Sequence, residues 1–221
     1  MTDLILEIAM KCLICDCSVL DDDTLYDRAY ASLSEYRKRK ADGCRSRKDA
    51  RQSVTAGLFL RSIENGFGEI ICDGYGKPHT NGIEFNISHS GDYVVFACSK
   101  SPLGIDIERI GRGIDIAERV MTAPEYDEFL NDVKENDRED VFCRMWTAKE
   151  SYMKCSGLGF RLPPDSFRVL HGYEVRSPDD DVTITELDHP DGYRISVCSA
   201  DVDCSLDSVG IEELLRDDFE L

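Results

Sequence analysis

Between Gly104 and Glu108 the chain alternates apolar and acidic side chains, Ile105-Asp106-Ile107-Glu108, entered through a glycine. Alternation at period two specifies a β-strand whose successive side chains lie on opposite faces. Ile105 and Ile107 then point into a core. Asp106 and Glu108 share the other face, their Cα atoms roughly 6.5 Å apart. Two carboxylates on one face repel each other unless a cation sits between them. Mg²⁺ suits such a pair, because it takes hard oxygen ligands and is usually held by one or two carboxylates plus substrate phosphates. The same pattern also describes a half-exposed strand with an acidic solvent face, so the rest of the chain must decide.

A chain of 221 residues makes one large domain or two of about 100 residues, enough for a real core. With 42% hydrophobic and 32% charged residues it reads as a soluble globular protein. A formal net charge of −18 argues against general nucleic-acid binding. Residues 37–51 run against that balance, with eight basic and two acidic side chains, so this segment calls for an anionic partner or a solvated face. The first residues, Met1 to Glu7, do not read as a secretory signal, and no run of about 18 apolar residues marks a membrane span. A cytoplasmic protein with reduced thiols is expected, and no membrane partner. Cys12, Cys15 and Cys17 have the spacing of half a zinc site, but no second Cys or His pair follows at suitable spacing.

The pattern predicts a strand over residues 4–15, a helix over 22–41 turning basic at its end, and a clearer helix over 46–64 stopped by Gly66. A short strand at 70–72, a turn at 73–78, and strands at 83–88, 93–99 and 104–108 follow. Beyond them, short helices are expected at 114–121 and 124–131 and a long one at 138–155, then strands near 166–176, 182–187 and 193–199. Residues 189–192 make a hairpin turn, and 211–221 a short acidic helix or a frayed tail. The apolar strands at 93–99 and 193–199 match in pattern at an offset of one hundred residues. A helix on three strands, occurring twice, predicts an α+β fold of two similar halves, residues 1–103 and 104–221, with a ligand cleft between them.

Trp146, Glu150 and Lys154 are spaced by four along the 138–155 helix and share a face. As a surface ion pair Glu150 and Lys154 would be unremarkable. The chain's only Trp on the same stripe argues instead for the edge of a cleft, where a carboxylate and an ammonium can serve as base and acid, or as metal ligand and phosphate clamp. Asn86-Ile87-Ser88-His89-Ser90-Gly91 supplies hydroxyls, an imidazole and amides, the makings of an anion nest. Ser88 and His89 are adjacent on a strand and point apart, which disfavours a Ser-His nucleophile. With Lys77, Arg37 and Lys40, the set describes handling of a polyphosphate ester. Neither a P-loop nor a Gly-rich dinucleotide fingerprint occurs.

Three motifs in order carry a resemblance: Gly76-Lys77-Pro78 with Phe85-Asn86-Ile87-Ser88-His89-Ser90; Gly104 to Glu108; and Trp146-Thr-Ala-Lys149-Glu150-Ser151-Tyr-Met-Lys154. Over nearly the whole chain the sequence resembles the 4′-phosphopantetheinyl transferase superfamily, in its larger, single-chain, surfactin-synthetase-activating type. The resemblance implies two similar halves related by a pseudo-two-fold, with coenzyme A between them. It implies transfer of the phosphopantetheine arm to a serine of an apo acyl or peptidyl carrier protein, by a monomer, with release of adenosine 3′,5′-bisphosphate. Asp106, Glu108 and Glu150 match Mg²⁺ ligands, Glu150 also the proposed base, and Lys154 a lysine at the diphosphate. Lys77, Pro78, Ser88 and His89 match contacts to the nucleotide part. Arg37, Lys40 and Ser53 fall where the family grips the 3′-phosphate, although Lys and Thr are more usual at the places of Arg37 and Ser53. The carrier's pathway stays open.

Overall fold

This computed structural model of the chain describes residues 10–72, 74, 77–80, 82–201, 204–219 and 221. Residues 4–9 of the expected first strand, Asp73, Tyr75 and Gly76 of the expected turn, and Glu220 of the tail lie outside them. The chain runs β1 (Lys11–Asp16), α1 (Asp23–Ala31), α2 (Glu35–Asp42) and α3 (Arg47–Phe67). Strands β2 (Ile71–Cys72), β3 (Pro78–His79), β4 (Glu84–Ser90), β5 (Tyr93–Ser99) and β6 (Leu103–Arg109) follow. Then come α4 (Ala117–Val120), α5 (Ala123–Asn131) and α6 (Arg138–Cys155). Strands β7 (Leu170–His171), β8 (Glu174–Val175), β9 (Thr183–Glu186), β10 (Tyr193–Ser199) and β11 (Leu206–Ser208) lead to α7 (Ile211–Leu214).

The expected α+β fold is the one observed. In the first half α3 packs on the antiparallel strands β1-β5-β4, and in the second α6 packs on β6-β10-β9. The two matching sequence segments are β5 and β10, and each is the central strand of its trio. The first sheet is wider than three strands: β3 and β2 extend it past β4, and β11 joins β1 in parallel, for six in all. Alternation along β5 explains the layering. Val94, Phe96 and Cys98 face α3, with Phe59 stacked 5.0 Å from Phe96, while Val95 and Ala97 face the second sheet. There they meet Ile105 and Ile107 of β6 and Ile195 and Val197 of β10. The molecule is therefore layered helix, sheet, sheet, helix, and the inner core lies between the sheets.

Two expected elements divide. The helix expected over 22–41 is α1 and α2, because the Ser34 hydroxyl accepts from the Arg37 amide and starts a new helix. The strand expected over 166–176 is a 3₁₀ turn at Pro164–Ser166 followed by the hairpin β7-β8, turned at Gly172 with φ +63°. Helix α3 outruns Gly66 and ends at Gly68, φ +86°.

An ion pair inside the second half is fully closed off from solvent: Lys149 and Glu125 side chains are both 0% exposed. Lys149 Nζ donates to Glu125 Oε2 at 2.8 Å, to Pro164 O at 2.7 Å and to Phe167 O at 2.6 Å. Glu125 accepts in addition from the amides of Thr122, Val169 and Leu170. Burial pushes the Glu125 carboxyl up, but the Lys149 ammonium and these amides outweigh it and hold the carboxyl below the ordinary range. Burial also lowers Lys149, opposed by the Glu125 charge and its hydrogen bond. The pair pins α5 and the 163–170 segment to α6. Lys149→Met strands the buried carboxylate and should lower the unfolding free energy by about 3–5 kcal/mol, read as a lower urea midpoint. Adding Glu125→Gln should recover part of that loss, because the amides keep an acceptor and the stranded charge is gone.

Candidate active site

The face of β6 that carries Gly104, Asp106 and Glu108 looks at α6, and α6 comes unusually close. A Cβ on Gly104 would lie 2.2 Å from Ser151 O, 2.5 Å from Cys155 N and 2.7 Å from Lys154 Cβ. Only a hydrogen fits there, so the glycine lets the helix rest on the strand. That approach brings Lys154 Nζ to 2.5 Å from Asp106 Oδ1, with Ser88 Oγ and Ile105 O each at 3.3 Å. Lys154 thus pairs with Asp106 rather than with Glu150, its neighbour one turn back. Trp146 is half-buried against the second half's helix-side core, as its place on the stripe implied.

The first half meets β6 through one face of β4. Asn86 Oδ1 accepts from Ile105 N at 3.0 Å. Ser88 Oγ donates to Asp106 Oδ1 at 2.7 Å, and Ser90 Oγ donates to Glu108 Oε2 at 2.9 Å. The Arg109 amide donates to Ser90 Oγ at 3.1 Å. These three residues, spaced by two, stitch the halves together alongside the carboxylates. The sequence reading ended the strand at 88 and placed an anion nest over residues 86–91; instead β4 continues to Ser90, paired in register with β5, and the turn falls on Gly91 and Asp92. Asn86 and Ser90 had not been singled out as partners of β6, although their spacing in Asn86-Ile-Ser88-His-Ser90 carried the signal.

The electrostatics of the cluster are unbalanced. Burial raises the Glu108 carboxyl, partly offset by Ser90, and the Asp106 charge raises it further. Burial likewise raises Glu150; Lys154 lowers it, and Asp106 and Glu108 raise it. Three carboxylates therefore feel one another with one ammonium among them. Asp106 is 4% exposed, and its Oδ2 has no hydrogen-bond partner. A buried carboxylate oxygen without a donor fits a divalent cation, which prefers this kind of hard oxygen ligand. Among the described residues no group of three or more acidic, His or Cys side chains is yet drawn tightly enough to hold an ion. The three acids fit such an ion in chemistry, and Glu108 and Glu150 would have to turn toward it.

Beside the cluster opens a pocket of about 540 Å³. Arg37, Lys40, Ser53, Pro78 and His89 line it together, so residues from α2, α3, β3 and β4 that the sequence scattered over fifty positions converge. Gly57 leaves room on α3 for the Leu33 side chain just before α2, whose Cδ2 would lie 2.9 Å from a Cβ there, and Arg37 Nε is next at 3.4 Å. Arg37 Nη2 then donates to Ser53 O at 2.8 Å. His89 is lowered by the protein around it and by the Lys154 charge. Its ring is exposed toward the pocket, and the neighbouring ammonium favours the neutral imidazole. Lys77 and Ser88 lie just outside this pocket. Lys77 donates to Leu103 O at 3.2 Å and lines an adjoining pocket of about 250 Å³ together with Lys154.

The family model described as the 4′-phosphopantetheinyl transferase superfamily matches residues 102–199, the span from β6 to β10 that bears all three acids. The 4′-phosphopantetheinyl transferase Sfp of Bacillus subtilis strain 168 is 31% identical over 209 residues, covering 86% of this chain and 92% of that protein. The chain belongs to the 4′-phosphopantetheinyl transferase superfamily. The transferase gsp of Aneurinibacillus migulanus is 38% identical over 169 residues, 69% of this chain and 70% of that one. Another 4′-phosphopantetheinyl transferase of Bacillus subtilis is 32% identical over 194 residues, 80% of this chain and 86% of that one. Among the described residues no helix is long and apolar enough to cross a membrane.

For this transferase, Gly104→Ala should cost about 1–3 kcal/mol in stability by overpacking and should lower the transfer rate by lifting α6 off the carboxylates. Gly66→Ala, where a Cβ meets nothing within 4 Å, is the control and should leave the rate unchanged. Urea unfolding and initial rates of both variants make the comparison.

Proposed function

We propose that the chain transfers the 4′-phosphopantetheine arm of coenzyme A to a serine of an apo carrier protein, with Mg²⁺ as the divalent ion and adenosine 3′,5′-bisphosphate as the second product. The observation that carries this reading is the group of three interacting carboxylates, with an unpartnered buried oxygen on Asp106, next to a pocket with basic walls. Asp106, Glu108 and Glu150 would hold the ion, which when bound neutralises charge on a diphosphate.

Each remaining role follows from charge and position. Arg37 and Lys40 bring positive charge to the pocket wall, which the Ser53 hydroxyl shares, and take the 3′-phosphate. Pro78 and His89 wall the nucleotide; a neutral His89 offers a hydrogen bond and leaves the phosphate charge to the cations. Lys77 lines the adjoining pocket with Lys154, and Ser88 hydrogen-bonds Asp106, so both stand close to where the diphosphate would lie. Lys154 sits beside Asp106 and stabilises charge on the departing phosphate. The carrier serine attacks the pantetheine-bearing phosphorus, its proton passes to Glu150, and the bond to the adenylate-side oxygen breaks. A carboxyl raised by burial is a better proton acceptor than an ordinary one. Pocket and carboxylates belong to one chain, which supports a working monomer.

The direct test is incubation with coenzyme A, Mg²⁺ and a panel of apo carriers. The carrier should gain the mass of one phosphopantetheine arm, and removal of the metal by a chelator should stop the gain. Asp106→Ala should abolish turnover, and wild-type turnover in that variant would refute the metal assignment. Glu108 and Glu150 are raised, so they protonate and release the ion at higher pH than ordinary glutamates, whose pKa is about 4.3. The acid limb of the rate should therefore lie above that value, and more Mg²⁺ should push it to lower pH.

Lys40→Ala should raise the KM for coenzyme A by roughly tenfold or more, the worth of one charge-assisted bond, with little change in kcat. With 3′-dephospho-coenzyme A the variant and the wild type should differ much less.

A further inference from the structure

We propose that Arg39, Arg45 and Lys48 form an electrostatic entry to the 540 Å³ pocket, drawing the phosphates of coenzyme A toward a chain that is otherwise strongly acidic. The identity of the ligand rests on the function proposed above. The inference itself concerns how fast that ligand is captured, not the contacts that hold it once bound.

The chain carries 44 acidic and 26 basic side chains. Eight of the basic ones fall between residues 37 and 51, with only two acids, Asp42 and Asp49, so this segment alone offers a phosphate ester an attractive field. Most of the eight are already engaged. Arg37 donates to Ser53 O within the pocket, and Lys40 lies 5.6 Å above the Tyr36 ring. Lys38 pairs with Glu35 at 3.0 Å. Arg47 donates to Asp23 at 3.0 Å and to Leu20 O at 2.9 Å, and Arg51 lies between Asp21 and Asp92. Among the described residues, the side chains of Arg39, Arg45 and Lys48 have neither an acidic nor a hydrogen-bonding partner.

The turn between α2 and α3 sets where these charges lie. Lys40, Cys44 and Asp49 line the pocket at that end, and Arg39, Arg45 and Lys48 are their chain neighbours. Arg39 and Arg45 are exposed, and Lys48 is half-buried. Ser46 Oγ accepts from the Asp49 amide at 3.1 Å and starts the 21-residue α3 here. The positive end of that helix's dipole adds to the same field. Of the two acids, Asp42 accepts from the Tyr30 hydroxyl at 3.0 Å and 3.1 Å. Asp49 stands on the pocket wall and offsets one charge, which leaves the cations in excess.

Three like charges without partners repel one another, so they add nothing to the hold of α2 on α3. Their effect is directed outward. Salt confines it to a Debye length of about 8 Å at physiological ionic strength. The mouth of the pocket therefore senses these neighbours more than the acids spread over the rest of the surface. A phosphate that comes within that range is turned toward Lys40 and Arg37. Steering of this kind raises capture rates by about 10–10³. It acts before any contact forms, so association depends on it far more than dissociation or the chemical step does.

The test is stopped-flow association of coenzyme A labelled with a fluorophore on its thiol, using the whole protein at several salt concentrations, beside kcat and KM for transfer. The triple variant Arg39→Gln, Arg45→Gln, Lys48→Gln should lose capture rate on the order of tenfold at low salt. At about 0.5 M salt, where the Debye length is only roughly 4 Å, it should come within about twofold of the wild type. Its dissociation rate, kcat and urea midpoint should change little. The same loss of charge at Lys134, Arg176 and Arg216, which line neither this pocket nor its neighbour, should leave capture close to that of the wild type. Equal capture by the first triple variant and the wild type would overturn the proposal. So would a loss that persists at high salt, or one that the remote variant matches. A loss confined to the KM for the carrier would also overturn it, and would make the patch a docking face for that protein. A wild type that captures the labelled coenzyme with this salt dependence yet modifies no carrier counts against the proposed transfer alone; one that captures none counts against both.

Discussion

The absence of a side chain at Gly104 is the constraint on which the site depends. Helix α6 crosses β6 with backbone atoms of Ser151 and Cys155 where a Cβ would otherwise sit. Glu150 and Lys154 reach the carboxylates of β6 only because the helix is that close. A larger residue would hold the helix off by about the width of a methyl group, and a charge pair at 2.5 Å would open. Close packing here is therefore chemical as well as mechanical: it fixes which ammonium faces which carboxylate.

The two acidic clusters of the second half show what separates a structural charge from one kept for chemistry. Glu125 is closed to solvent, but each of its oxygens meets donors and its partner Lys149 meets three acceptors. Nothing is left over, and a further ion would find no lone pair to take. Asp106 is nearly as deeply placed, yet one of its oxygens goes unmet, and burial together with the Asp106 charge raises two neighbouring carboxyls. That surplus of negative charge costs stability. A fold spends stability in this way where an incoming cation can recover it, and β4 holds the surplus in position with hydroxyl donors rather than with counter-charges.

Much of this was legible in the chain. The alternation at 104–108 set the strand and its acidic face, and the period of four on α6 set Glu150 above it, because each rests on local geometry that a single element enforces. The ends of β5, β10 and α6 coincide with the sequence reading for the same reason. The reading failed where partners are distant. β11 carries only three residues and is a strand because β1 lies beside it. Lys149 sits in the motif between Ala148 and Glu150, but its burial depends on Glu125 and on carbonyls at 164 and 167, which no spacing rule connects. Helix period puts Lys154 and Glu150 on one face but does not say which carboxylate the ammonium takes; it takes Asp106 across the interface, since a buried carboxylate gains more from a counter-charge than a less buried one does.

The division into halves explains why the site lies where it does. Neither sheet owns it: the pocket belongs to α2, α3, β3 and β4, and the carboxylates to β6 and α6. The central strands β5 and β10 approach each other at Tyr93 and Tyr193, whose rings meet edge to face at 5.0 Å. Gly91 has φ +61° and would drive a Cβ into the Tyr193 hydroxyl, so the turn after β4 is shaped by the opposite half. That hydroxyl in turn accepts from the Asp92 amide. Each half thus finishes the other's backbone as well as the other's chemistry. A long, divided ligand, with a nucleotide at one end and a reacting phosphorus at the other, matches a site assembled in this way, because the two ends make different demands and a different half meets each.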